Sequence, residues 1–220
     1  MLRDALHPSA SRRLTRAEKM SELTELYKEI KACTRCDLHK TRTQSVPGVG
    51  PENARIMLIG EAPGANEDRK GEPFVGAAGG FLNQLLEMAG LKRADVYITN
   101  VVKSRPPENR DPRPEEVAAC SVWLDRQLAI LKPKVVITLG RFSMYRWFPG
   151  GSISKIHGEP KKFGGTVVIP MFHPAAALHQ PKYKDLIEAG FKKLPKILAD
   201  LNRVEQAEKP KDDPKQLSFL

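Results

Sequence analysis

Four short apolar runs decide what this 220-residue chain can fold into. They are RIMLIG at 55–60, DVYITNVV at 95–102, KVVITLG at 134–140 and TVVIPMF at 166–172. Each is rich in β-branched residues and too continuous for a strand with one wet face, so each reads as a strand buried on both sides. Between them lie helical patterns: FLNQLLEMAG at 81–90, PEEVAACSVWLDRQLAIL at 114–131, and a shorter piece near 141–147. Pro114 near the first helical position, with Glu115 and Glu116 in the first turn, marks a helix start. Strand alternating with helix predicts right-handed βαβ connections and a three-layer α/β sandwich of parallel strands.

Ahead of the first strand, RAEKMSELTELYKEIKA at 16–32 spaces Met20, Leu23, Leu26, Tyr27 and Ile30 as one face of an amphipathic helix. That helix runs into CTRC at 33–36. The organisation expected is an extension over 1–15, one domain over 16–204, and a charged, Pro-containing flexible tail over 205–220. No apolar run approaches bilayer length. The opening MLRDALHPSASRR lacks the apolar stretch of a secretory signal, so the cytoplasm is the expected compartment.

Charge narrows the partners. The 36 Lys and Arg residues against 26 Asp and Glu leave a net charge of +10, which favours a polyanion through counterion release. Three cysteines, Cys33, Cys36 and Cys120, do not suit a secreted disulfide framework and point to metal or redox chemistry. CTRC does not sit between a strand and a helix of a redox βαβ unit, which counts against thiol exchange. Cys120 shares a helix face with Val117 and Leu124, so on its own it reads as a buried core thiol.

In open parallel sheets ligands bind outside the carboxyl ends of the strands. There the sequence offers Gly60-Glu61-Ala62-Pro63-Gly64, Asn100, Gly140 and Phe172-His173-Pro174. A carboxylate-bearing loop, an amide and an imidazole are thereby expected to converge on one pocket.

GEAPGANEDRKGEPFVGAAG (60–79), ITNVVKSRPPENRDP (98–112), FHPAAAL (172–178) and the cysteine spacing resemble the family 4 uracil-DNA glycosylases, the iron–sulfur branch of that superfamily. The resemblance covers the chain from about Cys33 to about residue 195. It implies a three-layer α/β/α sandwich around a four-stranded parallel sheet, and a monofunctional enzyme that removes uracil from DNA and leaves an abasic site. It also implies that Glu61, Ala62 and Pro63 line the uracil pocket, Glu67 is the acidic member of the motif, and Phe74 stacks on the base. Asn100 would read the uracil edge and His173 would sit beside a uracil carbonyl. Leu178 would wedge into the space left by a flipped base, with Lys182 and Lys184 near phosphates.

Those residue types suit the chemistry. A base inside a duplex must be flipped out, and stacking plus edge hydrogen bonds replace what it loses. An asparagine amide matches a neighbouring N–H and carbonyl, and mismatched buried polar groups reject the wrong base. A histidine donor at O2 stabilises the departing uracil anion where charge develops. In the best-known uracil glycosylases an aspartate stands at the position of Ala62, so handling of the attacking water passes to Glu61 or Glu67, or to no single strong base.

The resemblance implies an iron–sulfur cluster of the 4Fe-4S type held by four ligands: Cys33, Cys36, Cys120 and a third position occupied here by Ser104. Serine is a poor soft-metal ligand. Three outcomes stay open: a cubane with Ser104, water or another group on the fourth iron; a three-iron cluster; or no stable cluster. His39 is an alternative ligand, and the expectation is a labile cluster. The ending QLSFL, Gln216 to Leu220, resembles the peptide by which bacterial repair proteins dock on the sliding clamp. A monomer at work on the nucleoid is expected. The rival reading, a non-catalytic or weakly active DNA- or clamp-binding relative, draws on the Ala62 and Ser104 departures.

Overall fold

The structure, a computed structural model, describes residues 14–207. In chain order its elements are α1 (Arg16–Ala32), β1 (Ile56–Gly60), α2 (Ala65–Lys70), α3 (Ala77–Met88), β2 (Tyr97–Asn100), α4 (Pro114–Leu131) and β3 (Val135–Leu139). They continue with α5 (Arg141–Met144), α6 (Ile153–Ile156), β4 (Lys161–Phe163), β5 (Thr166–Met171), α7 (Ala175–His179) and α8 (Lys182–Ala207).

The strands form one sheet in the order β2-β1-β3-β5-β4. The four strands expected from sequence are parallel, with Gly60 beside Asn100 and Val135 beside Val167 in register. The sheet has five strands rather than four. The fifth, Lys161–Phe163, pairs antiparallel with β5 through a turn at Gly164, whose φ is +57°. It is three residues long and largely exposed, and its lysines blunt a sheet edge. Such a segment carries no apolar periodicity by which to read it as a strand.

Both faces of the sheet are covered. On one side α3 and α8 bring Phe81, Leu82, Leu85, Ile187, Phe191 and Leu194 onto Leu58, Ile98, Ile137 and Ile169. On the other, α1 and α4 bring Leu23, Leu26, Ile30, Trp123, Leu124 and Leu131 onto Met57, Ile59, Val136 and Val168. Alternate residues of each strand face opposite helical layers, which is why the runs are apolar throughout. Each fully buried Leu or Ile contributes roughly 1.5–3 kcal/mol relative to exposure.

Two helix starts fix the loops that matter. Thr15 caps α1: its hydroxyl accepts from Glu18 N–H, and the Glu18 carboxylate accepts from Thr15 N–H at 2.7 Å. The helix ends at Cys33 in extended backbone, launching CTRC. At α4 the Glu116 carboxylate accepts from Arg113 N–H at 2.7 Å and takes both arms of Arg110 at 2.6 and 2.9 Å. That fork anchors the Pro-rich loop between Ser104 and Cys120. Among the described residues no helix is long and apolar enough to cross a membrane.

Candidate active site and cysteine cradle

Gly60, Asn100, Gly140 and His173 all lie at the carboxyl ends of strands, on the edge where topology places a ligand. Asn100 is 2% exposed, and its Oδ1 has no hydrogen-bond partner among the described residues. Leaving such an acceptor unpaired costs roughly 1–3 kcal/mol, so it calls for an explanation. Gly60 lets the amide and the Phe74 ring come close to its backbone. A Cβ on Gly60 would stand 2.3 Å from Asn100 Oδ1 and 2.8 Å from the Phe74 ring.

Phe74 is buried and holds φ at +54°, an unfavourable backbone for a bulky residue. Two contacts hold it there. The backbone of Gly79 in α3 comes so close that a Cβ would lie 1.9 Å from the Phe74 carbonyl oxygen. The Glu67 carboxylate accepts the next two N–H groups, of Val75 and Gly76, each at 2.9 Å. Its other oxygen accepts Gly64 N–H at 3.1 Å, so Glu67 ties the GEAPG loop to the Phe74 loop.

The Phe74 ring is stacked with the His173 ring, centroids 5.5 Å apart and planes 24° from parallel. Ala175 N–H donates to His173 Nδ1 at 3.1 Å, which leaves the proton on Nε2. Burial pushes the His173 pKa down to about 4, opposed by the Glu67 charge. The imidazole is therefore a neutral donor.

Glu61 takes a different place. Its Oε1 accepts Phe142 N–H at 3.2 Å, and burial raises its pKa against the pull of Phe142 N–H and Arg141. Gly140, at φ +97°, makes the seat, because a Cβ there would stand 2.2 Å from Glu61 Oε1. Pro63 is buried, and Ala62 packs on the α1 and α4 side of the core. Leu178 projects from α7 at 51% exposed, and Lys182 and Lys184 open α8 in exposed positions.

Cys33, Cys36, Cys120 and Ser104 line a single cavity together with His39, Arg42, Lys103 and Trp123. The cavity is narrow. Among the described residues no three of His, Cys, Asp or Glu converge closely enough to grip one metal ion. Donors surround the thiols. Lys103 N–H donates to Cys120 Sγ at 3.2 Å, and the Trp123 indole Nε1–H, buried, has no acceptor among the described residues. Ser104, 5% exposed, receives Arg42 Nη1 at 2.9 Å. His39 Nδ1–H donates to the Cys36 carbonyl at 2.8 Å, leaving Nε2 as its remaining lone pair. Burial raises the thiol pKa of Cys36, and that of Cys120 to about 11. Three thiols with N–H donors beside them on one cavity make a soft-metal donor set one thiolate short of four.

Lys103 joins the two sites. Its ammonium is buried and donates to Thr99 Oγ1, the Asn100 carbonyl oxygen and Gln127 Oε1, each at 2.7 Å. Burial brings its pKa down to about 7. Lys103, Arg42, Trp123 and Gly79 are not among the residues expected from the motifs; Arg42 reaches Ser104 and Lys103 reaches Gln127 from distant segments, whereas Gly79 approaches the nearby Phe74. The adjacency of Lys103 to Ser104 was the one available signal.

A family model described as the uracil DNA glycosylase superfamily matches residues 47–202. The chain is 50% identical over 184 residues to the type-4 uracil-DNA glycosylase of Archaeoglobus fulgidus, covering 80% of this chain and 92% of that protein. The type-4 uracil-DNA glycosylase of Sulfurisphaera tokodaii is 46% identical over 185 residues, 80% of this chain and 84% of its own length. That of Thermotoga maritima is 48% identical over 161 residues, 71% of this chain and 84% of its own. With relatives of that identity and coverage, and a family model that spans the pocket residues, the chain belongs to the type-4 branch of the uracil-DNA glycosylase superfamily.

Proposed function

We propose that this protein excises uracil from DNA by hydrolysing the N-glycosidic bond, leaving an abasic site for base excision repair. The observation that carries the reading is Asn100 Oδ1, a buried acceptor without a partner among the described residues, at the carboxyl end of β2 where the Phe74 ring also packs against Gly60. A flat base with an N–H on its edge would supply the missing donor. Uracil N3–H donates to Oδ1, whereas cytosine offers a lone pair there and is rejected.

The base reaches the pocket by flipping, stacks on Phe74 and is read by Asn100. His173, neutral and protonated on Nε2, donates to uracil O2 and stabilises the leaving anion without giving up its proton. Glu61 is the carboxylate left to orient water, because Glu67 is committed to three backbone N–H groups. Ala62 and Pro63 shape the wall. Leu178 is placed to enter the duplex, and Lys182 and Lys184, with the net charge of +10, favour its phosphates.

Cys33, Cys36 and Cys120 would hold an iron–sulfur cluster, with Ser104 or His39 near the remaining iron. The cluster would supply a rigid structural anchor rather than redox chemistry. Gln216 to Leu220, which lie outside the described residues, would dock a sliding clamp, and the enzyme would act as a monomer on the nucleoid. The test is to incubate the protein with an end-labelled oligonucleotide carrying one uracil, then cleave with alkali. Strand cleavage at the uracil is the expected result. Its absence with protein prepared both in air and anaerobically rejects the reading.

A further inference from the structure

Gly190 lies inside α8, where glycine is among the least favourable residues, so its presence there asks for a packing reason. The reason is His157. A Cβ on Gly190 would stand 2.7 Å from His157 Nε2, 3.0 Å from its Cε1 and 3.0 Å from Met171 Sδ. The imidazole therefore lies against bare helix backbone. Gly158, the next residue, turns at φ +78° and donates its N–H to the Pro170 carbonyl at 2.7 Å.

Both ring nitrogens are used. Phe172 N–H donates to His157 Nδ1 at 3.1 Å, so that nitrogen carries no proton. Nε2 carries it and donates to the Leu186 carbonyl of α8 at 2.9 Å. Burial lowers the His157 pKa, opposed by the bond to the Leu186 carbonyl and assisted by the Lys193 charge, and the net shift favours this neutral form. The Phe172 ring packs on His157 with centroids 4.8 Å apart, and on Tyr183 at 5.0 Å. Phe172 is the residue before His173.

We infer that His157 is a positioning residue for His173. It bridges α8 to the end of β5 and fixes the backbone from which the His173 ring is aimed, while Gly190 supplies the room. The inference rests on the reading of His173 as the donor to the departing base. Neither His157 nor Gly190 touches the substrate. Their effect falls on the rate of bond breaking rather than on DNA binding, because a displacement of about 1 Å at a catalytic group costs on the order of 100-fold.

The experiment compares wild type, His157→Phe, Gly190→Ala and the double variant in single-turnover excision at saturating uracil DNA, well below each Tm. Affinity is measured on a duplex carrying a non-cleavable 2′-fluoro-deoxyuridine. His157→Phe and Gly190→Ala should each lower the rate at least about tenfold and change affinity by less than about threefold. The double variant should be no slower than the slower single variant, since both act through one ring. A lowered Tm with an unchanged saturating rate in both single variants makes the role merely structural and overturns the inference. So does full additivity of the two effects. A wild-type protein that releases no uracil overturns the functional reading itself, and the wild-type arm separates that failure from the others.

Discussion

Gly60 and Asn100 are register partners on adjacent parallel strands, and a side chain on the first would collide with the amide of the second. Gly60→Ala would place a Cβ 2.3 Å from Asn100 Oδ1 and 2.8 Å from the Phe74 ring. We expect excision to fall at least about 100-fold in single-turnover assays. Overpacking should cost only ~1–3 kcal/mol of stability. Excision at the wild-type rate would mean that the reaction does not depend on the placement of the Asn100 amide and the Phe74 ring.

The state of His173 sets the pH behaviour. Its pKa lies near 4 in the folded chain against an ordinary 6.5. Protonation would also require Nδ1 to give up its bond from Ala175 N–H. The catalytic rate should thus pass through 6.5 without a histidine step on the acid side. Stability should behave in the opposite sense. Above 6.5 the ring is neutral in both folded and unfolded chains. As pH falls from 6.5 towards 4 the unfolded chain takes up the proton first, so folding weakens through that window. Excision rates and melting curves across the same buffers check both statements.

Much of this was legible in the sequence, and the reasons are physical. Strands buried on both faces leave apolar runs, and parallel topology sends their carboxyl ends to one edge, so Asn100 and His173 could be placed together before any coordinates. The fifth strand, Lys161–Phe163, was hidden because an exposed edge strand buries too little to leave a pattern. Helix α8 was hidden because Pro195 interrupts it, although Ile187, Phe191 and Leu194 keep helical spacing. The division of labour between the two carboxylates was not readable at all. Glu67 is bound by N–H groups of Gly64, Val75 and Gly76, and Glu61 is seated by Gly140, through contacts fixed only in the fold.

That division gives a separate test. Glu67→Gln puts an NH2 group among backbone donors and loosens the Phe74 loop. It should cost about 1–3 kcal/mol of stability and weaken binding of uracil DNA. Glu61→Gln should lower the rate at saturating DNA with little change in binding. The reverse pattern would give the water to Glu67.

Ser104 is where this chain departs from a four-thiolate cradle. Ser104→Cys should raise iron and sulfide per protein after purification in air and lengthen the lifetime of the absorption near 400 nm. An unchanged iron content would indicate that another group, His39 first among them, already completes the set.

The central claim of the proposed function is that the Asn100 amide reads the base. The most direct measurement is release of the target base from two duplexes differing only in uracil or cytosine at one position, by wild type and Asn100→Ala. The account predicts alkali-labile sites at uracil but not at cytosine with wild type. It also predicts at least a ~100-fold loss with Asn100→Ala while duplex affinity holds, since a site built to hydrogen-bond a group discriminates steeply by it. Uracil excision by Asn100→Ala at the wild-type rate would contradict it.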